Sequence, residues 1–183
     1  MKEEKMVKFF NAKRQGGFTL VQLMLTVLAV AVITALGYSQ YSDIMGNTKA
    51  SAAIEHRTTI AAGIRGNLGN ENGYGALDTD GSQLMIDLEA VPSSLVVGST
   101  VKNEFGGTYT FGSSDGGVSG GDANAYFTIT TDKNPQSVCI KAASGSVDDW
   151  QTISVNGTEV DGSVDDARDQ CVDGENTLVF TGH

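Results

Sequence analysis

The longest uncharged stretch of the chain constrains its fold most. No charged residue occurs from Phe18 to Ser42, and from Phe18 to Leu36 the apolar run is interrupted only by threonines and by Gln22. A helix of about 20 apolar residues is long enough to cross the hydrocarbon core of a bilayer. Threonine hydroxyls can bond to carbonyls of their own helix, so they cost little there. The sequence therefore predicts a transmembrane helix over residues 18–37.

The residues on the two sides of this run differ in charge. Residues 1–17 are rich in lysine, whereas the chain as a whole has a formal net charge of −10. By the positive-inside rule, residues 1–17 face the cytoplasm and the rest of the chain faces outward. A secretory signal places its small cleavage-site residues after the apolar run. In this chain the small pair, Gly16 and Gly17, comes before the run.

This order of features resembles the N-terminus of type IV prepilins. The motif Gly-Phe-Thr-Leu at residues 17–20 leads directly into the apolar run. The resemblance implies that residues 1–17 are a leader peptide, that a prepilin peptidase cuts after Gly17, and that Phe18 becomes the N-methylated terminus. Thr19 matches a common second residue of the mature chain. With Leu20, it belongs to the part of the helix that is used in assembly.

One position departs from the pattern of that family. Its members almost always carry glutamate as the fifth residue of the mature chain, where this sequence has Gln22. In the family that carboxylate is held to pair with the charged terminal amine of a neighbouring subunit. A glutamine can accept a hydrogen bond but carries no charge. The departure weakens the expectation of efficient methylation and self-assembly. A minor pilin and a filament-capping pseudopilin therefore remain as alternatives.

The helical pattern continues beyond the apolar run. Apolar residues recur at mostly three- and four-residue steps as far as Leu68, which is typical of a helix with one buried face. This predicts one helix over residues 18–68, whose half beyond residue 37 packs on its own domain. Gly69 is the predicted C-cap. Residues 69–183 remain for a globular head domain.

The head domain has the pattern of an α+β fold. Segments rich in β-branched and aromatic residues, bounded by turn-forming residues, predict strands. They are Thr108–Phe111, Ala125–Thr131, Ser137–Ala142, Thr152–Val155 and Thr177–Thr181. Short helices are predicted over 83–89, capped by Ser82, and from a near capping box at Ser163 to about Cys171. Residues 112–121 are predicted to form a hairpin tip, so the expected architecture is a long N-terminal helix packed on an antiparallel sheet.

Two further segments indicate which branch of the pilin family the chain resembles. Val91–Ser94, followed by Asn103–Gly107, is similar to the middle of type IVb pilins, including those of plasmid-encoded thin pili and of enteric pili. This similarity favours the IVb branch over type IVa pilins and over the pseudopilins of secretion systems.

The chain contains two cysteines, Cys139 and Cys171. An even pair on the outer side of a bacterial membrane is best explained by one disulfide near the C-terminus, with two free thiols as the alternative. A metal site is less favoured, because neither His56 nor His183 has ligand spacing to the cysteines.

No motif for catalysis or for a cofactor stands out, so we expect a protein that is not an enzyme, without cofactor, catalytic residue or metal ligand. Acidic turns at 78–81 and 161–166 have oxygen spacings that suit calcium but lack the full EF-hand pattern. Trp150 is expected at the edge of the sheet, with stacking on a sugar as the alternative. The negative net charge disfavours nucleic-acid binding.

The function expected from these observations is that of a structural subunit of a type IVb pilus. Its expected partners are other copies of itself in a helical filament, a prepilin peptidase, the assembly machinery of the inner membrane, and a receptor on a host or bacterial cell. It is expected in the inner membrane before assembly and in the extracellular pilus afterwards, where it mediates adhesion, aggregation or conjugative contact. The alternatives are a low-copy minor pilin or adhesin-like subunit, and a secretion-system pseudopilin.

Overall fold

The computed structural model describes residues 19–69, 73–116, 122, 124–145 and 149–183, with the backbone alone for residues 35–46. The predicted leader, 1–17, and Phe18 lie outside these residues. Contacts divide the chain into two compact units, Met1–Ser42 and Asp43–His183.

Helix α1 spans Leu20–Leu68, close to the predicted 18–68. Within the second unit, α1 buries Ala50, Ala53, Ile60 and Ile64, as its apolar periodicity predicted. Arg57 is buried on the same face and was not predicted there. After the helix ends, the Gly69 N–H donates to the carbonyl of Arg65 over 3.2 Å.

The predicted membrane-spanning segment, 18–37, is not confirmed. Of the helices in the described part of the chain, none is both long enough and apolar enough to cross a membrane. Within the predicted span, the structure describes side chains only as far as Thr34.

In the described residues, seven strands form one antiparallel sheet in the order β1-β2-β3-β4-β7-β5-β6. The strands are β1 Val96–Val97, β2 Thr100–Lys102, β3 Thr108–Ser114, β4 Tyr126–Asn134, β5 Thr152–Val155, β6 Thr158–Val160 and β7 Asn176–Gly182. The last strand, β7, inserts between β4 and β5, with Ile129 opposite Phe180 on one side and Ile153 opposite Phe180 on the other. The predicted α+β class with an antiparallel sheet is confirmed.

One predicted strand is wrong. Ser137–Ala142 lies in helix α3, Gln136–Ser144, which follows Pro135 as its N-cap residue. The buried positions Val138, Cys139, Ala142 and Ala143 lie on one side of a helix, whereas a strand would bury alternate residues. A short apolar run is compatible with either structure by composition alone.

The hairpin between β3 and β4 confirms the predicted hairpin, but its first strand is longer than predicted. Strand β3 extends to Ser114, which pairs with Tyr126, so residues 112–114 belong to the strand. The short strands β1, β2 and β6 were not predicted, because two or three residues carry too little alternation to stand out.

The described residues also form two short α-helices, α2, Gly81–Asp87, and α4, Val164–Gln170. Helix α2 begins earlier than predicted, and its N-cap is Asp80 in the left-handed conformation rather than Ser82. At α4 the predicted cap is confirmed, since the Asp166 N–H donates to Ser163 Oγ over 3.1 Å. The Asp166 carboxylate accepts from the Asp161 N–H instead of the Ser163 N–H, which is why the capping box is incomplete. Single 3₁₀ turns occur at Gly75–Asp78 and Ser93–Leu95.

One buried cluster forms the core of the second unit. It joins the second half of α1, through Ile60 and Ile64, to the central strands β4 and β7. Phe127, Ile129 and Phe180 are fully buried there. Because β4 and β7 are central, α1 lies against the middle of the sheet and the edges remain for loops and short helices.

Candidate functional site

The first half of helix α1 exposes a continuous apolar surface. Its large apolar side chains are 51–71 % exposed. They are Leu20, Val21, Leu23, Met24, Leu25, Val27, Leu28, Val30, Val32 and Ile33. We call this set the apolar surface of α1. Soluble monomers seldom expose apolar patches of this kind, so it marks a surface that another molecule or a lipid phase covers.

The polar residues within this half bond to the helix itself. Thr26 Oγ1 donates to the Leu23 carbonyl over 2.9 Å, and Thr34 Oγ1 donates to the Val30 carbonyl over 2.7 Å. These threonines therefore present methyl groups rather than unpaired hydroxyls, as the sequence predicted.

The predicted assembly residues meet in the first turn of α1. Thr19 directly precedes the helix, Leu20 is its first residue, and Gln22 is its third. The Thr19 N–H donates to Gln22 Oε1 over 3.1 Å, and the Gln22 N–H donates to Thr19 Oγ1 over 3.4 Å. The two predicted processing residues, Gly17 and Phe18, lie outside the described residues.

A second polar cluster joins α1 to the sheet and was missed by the sequence reasoning. Arg57 on α1 is only 4 % exposed, and its Nε donates to the Ala53 carbonyl over 3.1 Å. Its guanidinium lies over the Phe180 ring, 4.2 Å from the centroid. Burial lowers the pKa of Arg57 to about 10, against the opposing influence of Tyr109 and Glu104.

Glu104 connects the members of this cluster. Its Oε2 accepts from the Tyr109 hydroxyl over 3.1 Å, while its Oε1 contacts His56 Nδ1. Burial raises the pKa of Tyr109, and Glu104 adds to this effect. Glu104 lies 48 residues from His56 in the sequence, so no local pattern could have shown that the two meet. His56 lies within α1, is partly exposed and is paired with Glu104.

The predicted disulfide between Cys139 and Cys171 is confirmed, with a Cα–Cα distance of 5.9 Å. It links α3 to the residue that follows α4, rather than a strand to a helix. Both sulfurs lie in the core, since Cys139 is 0 % and Cys171 2 % exposed. Gln136 Nε2 donates to the Cys171 carbonyl over 2.9 Å and supports the same junction.

The acidic turns accept hydrogen bonds from serines. Asp78 accepts from the Ser113 hydroxyl over 2.6 Å and from the Ser113 N–H over 2.7 Å. These two bonds lower the pKa of Asp78, and bonds from Ser163 lower that of Asp161. Within the described part of the chain, no group of three or more His, Cys, Asp or Glu residues is placed to hold a metal ion.

Trp150 is partly buried against the core. Its ring centroid lies 5.2 Å from that of Phe180 and 6.1 Å from that of Phe127. Trp150 therefore contacts rings of the central strands β4 and β7 rather than the edge of the sheet, so its predicted place is wrong.

The fold, the buried disulfide and the apolar helix together define the class of a type IV pilin. The family model described as PilS N terminal matches residues 47–183. No curated protein sequence matches the chain. Among solved structures, the crystal structure of a type IV b pilin from Salmonella typhi is similar, with a TM-score of 0.59 and 25% sequence identity. That match covers 73% of this chain and 99% of the Salmonella typhi chain.

The chain belongs to the PilS family and is a type IVb pilin. The resemblance that the N-terminal motif and the central segments suggested is thereby confirmed. As a pilin, it is a structural subunit of a pilus.

Proposed function

We propose that the protein forms the body of a type IVb pilus by packing one side of the apolar surface of α1 against a different side of that surface on neighbouring copies. The observation that carries this proposal is the exposure of 51–71 % along that surface. Burying apolar area stabilises association by about 25 cal/mol per Å². An interface that repeats head to tail without closing on itself generates a helical filament.

Processing precedes assembly in this proposal. A prepilin peptidase removes residues 1–17 by cutting after Gly17 and methylates Phe18, and the subunit is held at the inner membrane with the assembly machinery until it joins the filament. This stage rests on the Gly-Phe-Thr-Leu motif and on the apolar run that follows it.

The head domain remains outside the filament core and makes the functional contacts. The chain has a net charge of −10, which favours contacts with proteins or cell surfaces over nucleic acid. Adhesion to a receptor, aggregation and conjugative contact between cells are the roles that suit an exposed pilin head.

A matched pair of substitutions tests assembly. Leu28 on α1 is 67% exposed and Val97 on the head is 60% exposed. We expect Leu28→Glu to abolish filaments that can be sheared from cells, because it places a charge in the packed interface. Val97→Glu is expected to leave the filament yield within about twofold of the wild type. Normal filament yield from Leu28→Glu would contradict the proposal.

Gln22 favours a second candidate, a minor pilin present at low copy that initiates or caps the fibre. Intact-mass analysis of sheared filaments separates the two. A chain that begins at methylated Phe18 and dominates the filament mass supports the body subunit. A substoichiometric chain, with abundance restored by Gln22→Glu, supports the minor pilin.

A further inference from the structure

Asn156 and Gly157 form the two-residue turn between β5 and β6. Val155 pairs with Thr158 across the turn. Both turn residues have left-handed backbones, with φ of 51° at Asn156 and 88° at Gly157, as a type I′ hairpin turn requires. An Asn-Gly pair is also chemically reactive, because glycine has no side chain to keep its backbone nitrogen away from the asparagine side chain.

The reaction open to such a pair is deamidation. The Gly157 backbone nitrogen attacks Asn156 Cγ, so that a bond between this nitrogen and Cγ forms and the bond from Cγ to Nδ2 breaks. The amide leaves as ammonia, with the former proton of the Gly157 N–H. Water then opens the resulting five-membered imide at either carbonyl and gives aspartate or isoaspartate. Water is the only co-reactant, and nothing is oxidised or reduced.

The fold engages both polar atoms of the Asn156 side chain. Its Oδ1 accepts from the Thr177 N–H over 3.0 Å. Its Nδ2 donates to the Gln170 carbonyl over 3.1 Å and to Asn176 Oδ1 over 3.0 Å. Gln170 is the last residue of α4, and the other two partners lie in β7. The Asn156 amide therefore joins the turn to two other segments.

Asn176 fixes the far side of this junction. It is 0% exposed. Its Oδ1 also accepts from the Val172 N–H over 2.8 Å, and its Nδ2 donates to the Asn134 carbonyl over 3.1 Å. The Asn176 amide therefore cannot turn over to offer a donor to residue 156 without breaking these bonds.

From these contacts we propose that Asn156-Gly157 is a deamidation site that the folded protein keeps closed, and that it reacts when the junction of the β5–β6 turn, α4 and β7 opens. Asn156 is exposed, so the access of water does not limit the reaction. The side chain must instead leave its three partners before Cγ can meet the Gly157 nitrogen. The rate then follows the open fraction of the molecules.

Deamidation would make this opening irreversible. A carboxylate at residue 156 has no N–H to donate, and it would place an oxygen against two acceptors, the Gln170 carbonyl and Asn176 Oδ1. Buried acceptors that lose their donor destabilise the contact. Cys171 follows Gln170 directly, so we expect the converted chain to expose its disulfide more often.

The first experiment measures the loss of Asn156 by peptide mapping and mass spectrometry. The full chain is kept in mild detergent at mildly alkaline pH, with and without urea. A net hydrogen bond changes an equilibrium by about fivefold, so three bonds should make the reaction about 100-fold slower in the native protein than in urea. Asn72-Gly73 is the same dipeptide, and in urea the two sites should react within about threefold of each other. A native rate less than about tenfold below the urea rate, or no reaction of Asn156 in urea, would overturn the proposal.

The second experiment tests the converted state through the variant Asn156→Asp. Dithiothreitol should reduce its disulfide about tenfold faster or more than that of the wild type, because two donated bonds are lost. Asn67→Asp is the matched control, since Asn67 is exposed and its Nδ2 donates to the Gly63 carbonyl on α1 over 2.9 Å. It should leave the reduction rate within about twofold of the wild type. Equal reduction rates in Asn156→Asp and the wild type would show that conversion does not hold the junction open.

Discussion

The guanidinium of Arg57 lies 4.2 Å from the ring centroid of Phe180, so helix α1 and strand β7 meet through a buried positive charge. Arg57 is 4% exposed, and the carboxylate that acts on its charge is that of Glu104. A cation in such a place is strongly destabilising if its opposite charge is removed. The contact between the helix and the sheet therefore depends on a residue in the loop between β2 and β3.

Replacing Glu104 by glutamine is expected to lower the free energy of unfolding by about 1–3 kcal/mol. A glutamine has one acceptor oxygen, whereas Glu104 uses one oxygen toward His56 and the other toward Tyr109. Urea unfolding of the full chain in mild detergent, followed by circular dichroism, measures the loss. Glu175→Gln is the control, because that carboxylate is 70% exposed and lies 3.8 Å from Lys133 Nζ. It should change the free energy by less than about 0.5 kcal/mol, and equal losses in both variants would refute the role of Glu104.

Tyr109 and Arg57 are expected to affect alkaline stability in opposite directions. Burial raises the pKa of Tyr109, so the stability that its protonated form provides is complete below the unfolded value of about 10 and declines above it. Burial lowers the pKa of Arg57 to about 10, so above that pH the folded state loses this proton before the unfolded state does, and stability rises.

Tyr109→Phe removes the contribution to stability that declines as the pH rises. It leaves the contribution of Arg57, which increases with pH. Between pH 10 and 12, the unfolding free energy of this variant should fall less steeply than that of the wild type, by up to about 1.4 kcal/mol per pH unit. The comparison of slopes also cancels the constant cost of the lost hydrogen bond to Glu104. Between pH 6 and 8 the two slopes should coincide, and equal slopes above pH 10 would count against the buried phenol.

Gly63 and Gly66 on α1 provide a matched pair. A Cβ on Gly63 would lie 2.6 Å from the carbonyl oxygen of Ala90, whereas one on Gly66 would meet nothing within 4 Å. Gly63→Ala should therefore destabilise the protein by about 1–3 kcal/mol through overpacking. Gly66→Ala should stabilise it by about 0.5–1 kcal/mol, because alanine has the higher helix propensity. Thermal unfolding of both variants gives the sign, and the same sign for both would contradict the close approach of α1 to Ala90.

The disulfide is expected to resist reduction in the folded state. Both cysteines are buried, and thiol exchange needs access to a sulfur. Dithiothreitol should reduce the native protein slowly and the urea-unfolded protein rapidly, as followed by thiol labelling and mass spectrometry. The double variant Cys139→Ala and Cys171→Ala should lose about 3.5–4 kcal/mol in the chain-entropy description of a loop of this length. Rapid reduction without denaturant would argue against the buried position.

Several features were predictable because their physical cause is local. The periodicity of α1 predicted both its extent to Leu68 and its buried face, and the Ser163 cap follows from a serine three residues before Asp166. The hairpin of β3 and β4 was predictable from two β-branched segments around a glycine-rich loop. The reciprocal bonds of Thr19 and Gln22 were missed, although the Thr-x-x-Gln spacing is the signal that could have shown them.

The sequence by itself determined the long helix, the α+β class, the pilin family and the pairing of the two cysteines, because periodicity, composition and short motifs act over neighbouring residues. Tertiary structure alone decided that Ser137–Ala142 is helical, because the burial of Cys139 and Ala142 against the core selects between two conformations that the run itself allows. Tertiary structure also decided that β7 inserts between β4 and β5. It brought together the polar cluster of His56, Arg57, Tyr109 and Glu104. These contacts join segments far apart in the chain, and only the packing of α1 on the sheet brings them together.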